Sequence, residues 1–173
     1  MSMSGQRIVF ALGLLLLAAT AHAAPIVYGV NAHDNRPAYA MTQAEARFKL
    51  LAARNLRSYR FDVDPRDYAT LDTLVPLARK YGITLRPMVY PMTHEIGYQL
   101  ARRYAADIKV WEIGNEQDLV RAEADARIAA MTTMYQGMRQ ASNELGAGLR
   151  FTINITACNS DEHSATALSL IHI

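Results

Sequence analysis

Cysteine is nearly absent. Cys158 stands alone, so no disulfide can form within the chain and stability has to come from a packed core. Neither sign of charge dominates: 18 Lys+Arg face 16 Asp+Glu, for a formal net charge of +2. No basic block or basic-aromatic stripe breaks that balance, which argues against nucleic acid as a partner. The turn after the first apolar run, "GVNAHDNRP", lacks G-x-G-x-x-G, which weighs against a dinucleotide fold. His94 and Glu95 do not form a metal-ligand spacing and read as helix surface, and neither metal nor cofactor is expected. No low-complexity linker marks off a second domain.

What is present begins with a leader. Arg7 precedes an uncharged apolar run, "IVFALGLLLLAAT", and "AHA" at 21–23 has the small-residue pattern of a cleavage site. The alternative is an uncleaved anchor, but the run is short for a span of about 20 residues. Residues 1–23 are therefore expected to be a secretory signal, with no stable membrane association after cleavage and a periplasmic or secreted product. No Cys adjoins the cleavage site, so a lipid-anchored form is not expected. Removing 23 of 173 residues leaves 150, with 17 basic and 16 acidic groups once Arg7 is gone.

Short apolar runs then alternate with helical patterns. "IVYGVN" (Ile26–Asn31) predicts a strand, and Thr42 with Glu45 forms a T-x-x-E capping box ahead of Phe48, Leu51 and Ala52. "LRSYRFDVD" (Leu56–Asp64) predicts the second strand. Its helix carries Leu71, Leu74, Val75, Ala78 and Tyr81 on one stripe and stops at Gly82. "ITLRPMVYP" (Ile83–Pro91) follows, with Pro87 arguing against regular pairing there. Thr93 caps a third helix with Ile96, Leu100 and Tyr104 on one face, weakened by Gly97. After the strand "IKVWEIG", a helix over 122–145 turns Ile128, Met131, Tyr135, Met138 and Leu145 inward and ends at Gly146. "LRFTINIT" (Leu149–Thr156) predicts a fifth strand. Five strands separated by four helices call for a parallel α/β sheet, either open and doubly wound or a (β/α)8 barrel.

In a barrel, side chains at the C-terminal strand ends share one mouth. Those positions hold Asn31 and His33, then Arg60, Asp62 and Asp64, then Tyr90, then Asn115 and Glu116. Such a ring suits a neutral, hydroxyl-rich ligand, and carbohydrate is the natural candidate. Each residue also has a plainer reading. Asn115–Glu116 can cap the next helix. Arg60 can pair with Asp62 or a neighbouring strand. His33 and Tyr90 can pack at the rim, and Asp62 and Asp64 can be turn residues before Pro65.

Trp111–Glu116, "WEIGNE", resembles the W-x-x-x-N-E signature on strand four of the clan of retaining (β/α)8 glycosidases, with its cellulase-like and xylosidase-like branches. "YRFDVD" and "YGVN" resemble that clan's second and first strands. The resemblance spans 25–156, and only the fourth-strand motif is specific. It implies Glu116 as general acid/base, Asn115 as the contact to the sugar 2-hydroxyl, and Arg60 near the nucleophile. Trp111, His33 and Tyr90 join them as expected substrate contacts. Gln117 stands where many members have Pro, a difference expected to touch loop geometry more than chemistry. The chemistry has a physical basis: one carboxyl must stay protonated until the leaving oxygen takes its proton, then act as base toward water.

A retaining enzyme also needs a nucleophilic carboxylate about 5 Å from the acid, which the clan carries on strand seven. At roughly 250 residues for eight units, this chain is expected to be truncated after about five βα units, with 24–167 the N-terminal part of the catalytic domain. "LSLIHI" (Leu168–Ile173) follows Thr156 after only 11 residues, barely enough for a helical crossover. It matches the translation of a sequencing-transposon end, CTG TCT CTT ATA CAC ATC, so 168–173 is expected to be a non-biological tail. The parent is expected to be a glycoside hydrolase and this product inactive. The alternatives are a non-catalytic carbohydrate-binding relative of the same barrel and a barrel enzyme of unrelated chemistry.

Overall fold

The computed structural model of the protein describes residues 26–154 apart from Asn35, Pro37, Ala38 and Val120. The expected leader at 1–23, Cys158 and the 168–173 tail lie outside the described residues. Strands β1 (Gly29–Ala32), β2 (Ser58–Val63), β3 (Thr84–Val89), β4 (Val110–Asn115) and β5 (Arg150–Asn154) alternate with four helices. These are α1 (Ala44–Ala53), α2 (Tyr68–Tyr81), α3 (His94–Tyr104) and α4 (Ala124–Glu144). Every strand pair is parallel, and the spatial order is β1-β2-β3-β4-β5. A doubly wound sheet reverses direction at a switch point. This one never does. Each βα unit adds to the same side of the one before, which is the construction of a (β/α)8 barrel and the fold class the sequence predicts. No helix among the described residues is long and apolar enough to cross a membrane.

Alternation along the strands sorts the side chains into two faces. Tyr59, Phe61 and Val63, then Leu85 and Val89, then Trp111 and Ile113 are all at most 3% exposed. They share one cluster with Leu71 and Leu74 of α2, Leu100 and Tyr104 of α3, and Met131, Met134 and Met138 of α4. Burying each large apolar side chain there contributes roughly 1.5–3 kcal/mol. The opposite face carries Arg60, Asp62, Met88 and Glu112, so one side of the sheet is core and the other is polar.

Local signals mostly hold. Asp67 caps α2 by accepting from the Thr70 amide at 3.2 Å, and Gly82, at φ 62°, ends it in the left-handed region. Thr93 accepts from the Ile96 amide at 3.3 Å and caps α3. Five expectations need correction. The Thr42–Glu45 capping box does not form: Thr42 lies in a short 3-10 turn, Met41–Gln43, and Glu45 instead accepts from Lys80 and Tyr81. β1 starts only at Gly29, leaving Ile26, Val27 and Tyr28 exposed, because pairing with β2 begins at Gly29↔Ser58. Pro87 pairs in regular register with Phe61, and its missing donor costs no bond to β4, whose pairing starts at Met88↔Glu112. Leu145 lies beyond the end of α4 and is 45% exposed rather than inward.

Gly97 is the fifth correction, since it strengthens the packing of α3 rather than merely weakening the helix. A Cβ there would sit 2.5 Å from the Met134 carbonyl oxygen, and one on Gly137 would sit 2.0 Å from that of His94. The two helices cross at backbone contact, and only glycine leaves room.

Candidate active site

From the middle of the sheet toward its C-terminal edge the polar face gathers around Arg60, the third of six residues of β2. Its Nε and Nη2 donate to the two carboxylate oxygens of Glu112 at 2.6 and 2.5 Å. Nη1 donates to Asn31 Oδ1 at 2.7 Å, and Nη2 donates again to Asn115 Oδ1 at 3.1 Å. Four of the five N–H groups that a guanidinium carries are thereby used. The hydrogen bond with Glu112 raises the Arg60 pKa above its ordinary value; burial opposes this, while the charges of Glu112, Asp62 and Glu116 reinforce it. Arg60 is thus the organiser of the mouth more than a free hand for ligand.

Asn115 reaches this network through an irregularity in β4. Glu112 pairs with Thr152 and Asn115 with Asn154, so three steps on β4 match two on β5. By alternation alone, residues three apart face opposite sides. The extra residue restores Asn115 to the face of Glu112, and Gly114, at φ 77°, makes the kink possible. The side-chain amide of Asn154 also donates to Asn115 Oδ1, at 3.2 Å.

Glu116 follows in the left-handed region at φ 49°, where a side chain normally costs energy. Its amide donates to the Asn154 carbonyl at 3.0 Å, and it is partly exposed at the strand end. Gln117 holds the turn by donating from Nε2 to the Asn115 carbonyl at 2.8 Å. Proline at 117 would remove that bond and press its predecessor toward extended backbone.

His33 and Tyr90 come together on Asp62. His33 Nδ1 lies 3.2 Å from Asp62 Oδ1, and the Tyr90 hydroxyl donates to Oδ2 at 3.4 Å. Asp62, 6% exposed, is therefore an inward-facing site residue and not a turn residue. Asp64 is a turn residue, accepting from the Arg66 amide at 2.9 Å. Behind His33, the fully buried Asp34 side chain accepts from Arg47 at 2.9 Å and from the Tyr59 hydroxyl at 3.0 Å, fixing the loop after β1. Burial pushes the Asp34 carboxyl above its ordinary pKa, with the Tyr59 hydrogen bond and Arg47 pulling the other way.

Trp111 does not join them. It is fully buried in the helix-facing core, because adjacent strand residues point to opposite faces and Glu112 takes the mouth. The expected substrate contact from Trp111 has no access. Glu112 is the residue that reading the sequence missed. Its only signal was its place beside Trp111 in a strand whose other face is apolar. Among the described residues no group of three His, Cys, Asp or Glu side chains is arranged to hold a metal ion.

No family model matches the sequence, and no curated protein matches it either. Two solved structures share part of the architecture. Adenine deaminase from Arthrobacter aurescens has a TM-score of 0.47 and 14% identity over 77% of this chain and 42% of its own. A truncated form of 3-deoxy-D-arabino-heptulosonate 7-phosphate synthase from Thermotoga maritima has a TM-score of 0.42 and 11% identity over 89% of this chain and 64% of its own. The chain spans less than two thirds of either protein, and likeness at this level says nothing of chemistry.

Proposed function

We propose that this chain carries the proton-donor half of a retaining glycoside hydrolase that cleaves an O-glycosyl bond in an exported, polysaccharide- or oligosaccharide-degrading parent. Glu116 is the general acid/base, Asn115 meets the sugar, and His33, Tyr90 and Asn31 line the same mouth. A retaining mechanism needs, beside Glu116, a nucleophilic carboxylate about 5 Å away. The observation that supports this reading best is the convergence of Asn115 with Arg60 at the end of the fourth strand, with Glu116 the next residue and close enough for its charge to act on Arg60. A carboxyl there can protonate a leaving oxygen, and a fixed carboxamide can strengthen a hydroxyl contact in an oxocarbenium-like transition state.

A second reading, a carbohydrate-binding relative without catalysis, draws on one further observation. Glu112 and Asp62, the other carboxylates of this face, are already committed to Arg60 and to His33 with Tyr90. The test is to express the reading frame as it continues in the source DNA and assay aryl glycosides of graded leaving-group acidity. Glu116→Gln should abolish cleavage of poor leaving groups and leave kcat/KM nearly unchanged for good ones, whose departure needs no proton, while their kcat falls because the base toward water is gone. A frame without a downstream carboxylate on strand seven, or a parent that binds sugar and cleaves none of these glycosides, selects the binding reading; equal losses across all leaving groups would remove Glu116 from the acid role.

A further inference from the structure

Arg60 donates hydrogen bonds and accepts none. Any side-chain amide that touches it must therefore turn its oxygen inward, which fixes the orientation of Asn115 and Asn31. Asn115 Oδ1 receives Arg60 and Asn154 together, and Asn31 Oδ1 receives Arg60. Their Nδ2 groups have no hydrogen-bond partner among the described residues, and both side chains reach solvent at the mouth. What aims the guanidinium is Glu112, which occupies Nε and one Nη2 hydrogen in a planar fork.

We infer that Glu112 is a positioning residue: through Arg60 it turns the Asn115 and Asn31 amides so that this mouth meets its ligand with N–H donors. The ligand must then present acceptor oxygens at those two points, as the hydroxyls of a neutral sugar do. Glu112 acts through Arg60, to which each of its oxygens is bonded. The proposal rests on the glycosidase reading for its substrate class, though not for the orientation of the amides.

The orientation can be read on the 173-residue chain by magic-angle-spinning NMR of sedimented protein with labelled asparagine amides. The Asn115 amide should be rigid and single in the parent chain. In Glu112→Gln, whose amide can no longer fill both arms of the fork, it should lose order and populate two orientations while the backbone spectrum of the helices is unchanged. Arg60→Lys should release it in the same way, because an ammonium cannot bridge Glu112 and Asn115 in one plane. An ordered Asn115 amide in either folded variant overturns the inference, as does collapse of the fold in both, which would make the pair a structural strut.

Catalysis is then assayed in the continued reading frame. Glu112→Gln should lower kcat/KM by about 10–100-fold for a glycoside with a 2-hydroxyl and hardly at all for its 2-deoxy analogue. If the amide is released and the continued reading frame hydrolyses no glycoside, the glycosidase reading fails and the positioning role stands. Lost hydrolysis with an ordered amide means the reverse.

Discussion

Arg60 and Glu112, 52 residues apart in sequence and on strands separated by β3, face each other in a two-bond fork at 2.6 and 2.5 Å. Their side chains are 25% and 13% exposed, so the pair sits between a surface bridge and a buried one. Surface pairs give about 0–1 kcal/mol and breaking buried ones costs about 3–5 kcal/mol. Solvent screening at a quarter-exposed guanidinium places the loss for Glu112→Ala near the middle, at about 2 kcal/mol. Arg60→Ala should cost more, because it leaves the more buried Glu112 unpaired and also removes the bonds to Asn31 and Asn115. A denaturant-unfolding double-mutant cycle measures the coupling. Additive single losses would show that the two groups do not stabilise one another.

Glu116 is strained by its backbone. At an ordinary position glycine destabilises relative to alanine, but at φ 49° the order should invert. Glu116→Gly is expected to be more stable than Glu116→Ala by about 1 kcal/mol. Gln117→Pro should be the least stable of the three, since it removes the bond to the Asn115 carbonyl and disfavours the left-handed residue before it. Chemical denaturation of the three variants gives the ranking. Alanine above glycine would mean that Glu116 relaxes out of this conformation in solution.

The fold was legible because its signals are periodic. β-branched and aromatic strands, Gly82 after α2 and Thr93 before α3 each act within a few residues; the two helix signals are observed where the sequence placed them, as are the strands apart from the start of β1. Asn115 and Glu116 were legible as a motif, and Arg60 as a cation of the second strand, though it stands third of six residues rather than at the strand's end. What could not be read was which residues touch. Trp111 looked like part of the site because it belongs to the motif, yet alternation sends it to the core. Glu112 looked like one more strand residue, yet it holds Arg60. The kink at Gly114 decides both the face of Asn115 and the strain at Glu116, and no local pattern announces an extra residue between two paired strands. Gly97 is similar: its reason lies on another helix.

Trp111 is the chain's one tryptophan, fully buried among core residues. Its fluorescence should be blue-shifted, resist iodide, and stay unchanged when sugars are added to the protein. Quenching by a bound sugar or by iodide would restore the contact that the sequence suggested.

The acid limb of stability contains one contribution of unusual sign. Asp64, Asp72, Glu45 and Glu144 have pKa values lowered chiefly by hydrogen bonds, to Arg66, Arg103, Lys80 and Tyr98 respectively. Their contributions are present above the unfolded values and fade as pH falls through the folded ones. Asp34 runs the other way. Its folded pKa is raised from 3.8, so between those limits the folded state binds more proton and stability falls as pH rises. Wild type should therefore gain on Asp34→Asn as pH is lowered from 7 toward 4, read from the difference in Tm at each pH. A difference that stays constant, or grows toward neutral pH, would mean that Arg47 and Tyr59 outweigh the burial of Asp34.

The crossing of α3 and α4 gives the sharpest steric test. Alanine at Gly137 would gain about 1 kcal/mol of helix propensity, but its Cβ would lie 2.0 Å from the His94 carbonyl oxygen, a backbone atom that cannot rotate away. Separating the helices costs roughly 1–3 kcal/mol as overpacking and strips contacts from Met134, Met138 and Leu100. The net effect of Gly137→Ala is expected to be a loss of about 2 kcal/mol, with Gly97→Ala, at 2.5 Å from Met134, somewhat milder. Gly146 supplies the control. It also has positive φ, at 58°, but nothing lies within 4 Å of its missing Cβ, so Gly146→Ala should cost only about 1 kcal/mol of backbone strain. Thermal unfolding of the three variants ranks them. If Gly137→Ala is as stable as wild type, the helices do not cross at backbone contact, and β4, which α4 follows, loses that constraint on where it delivers Glu116.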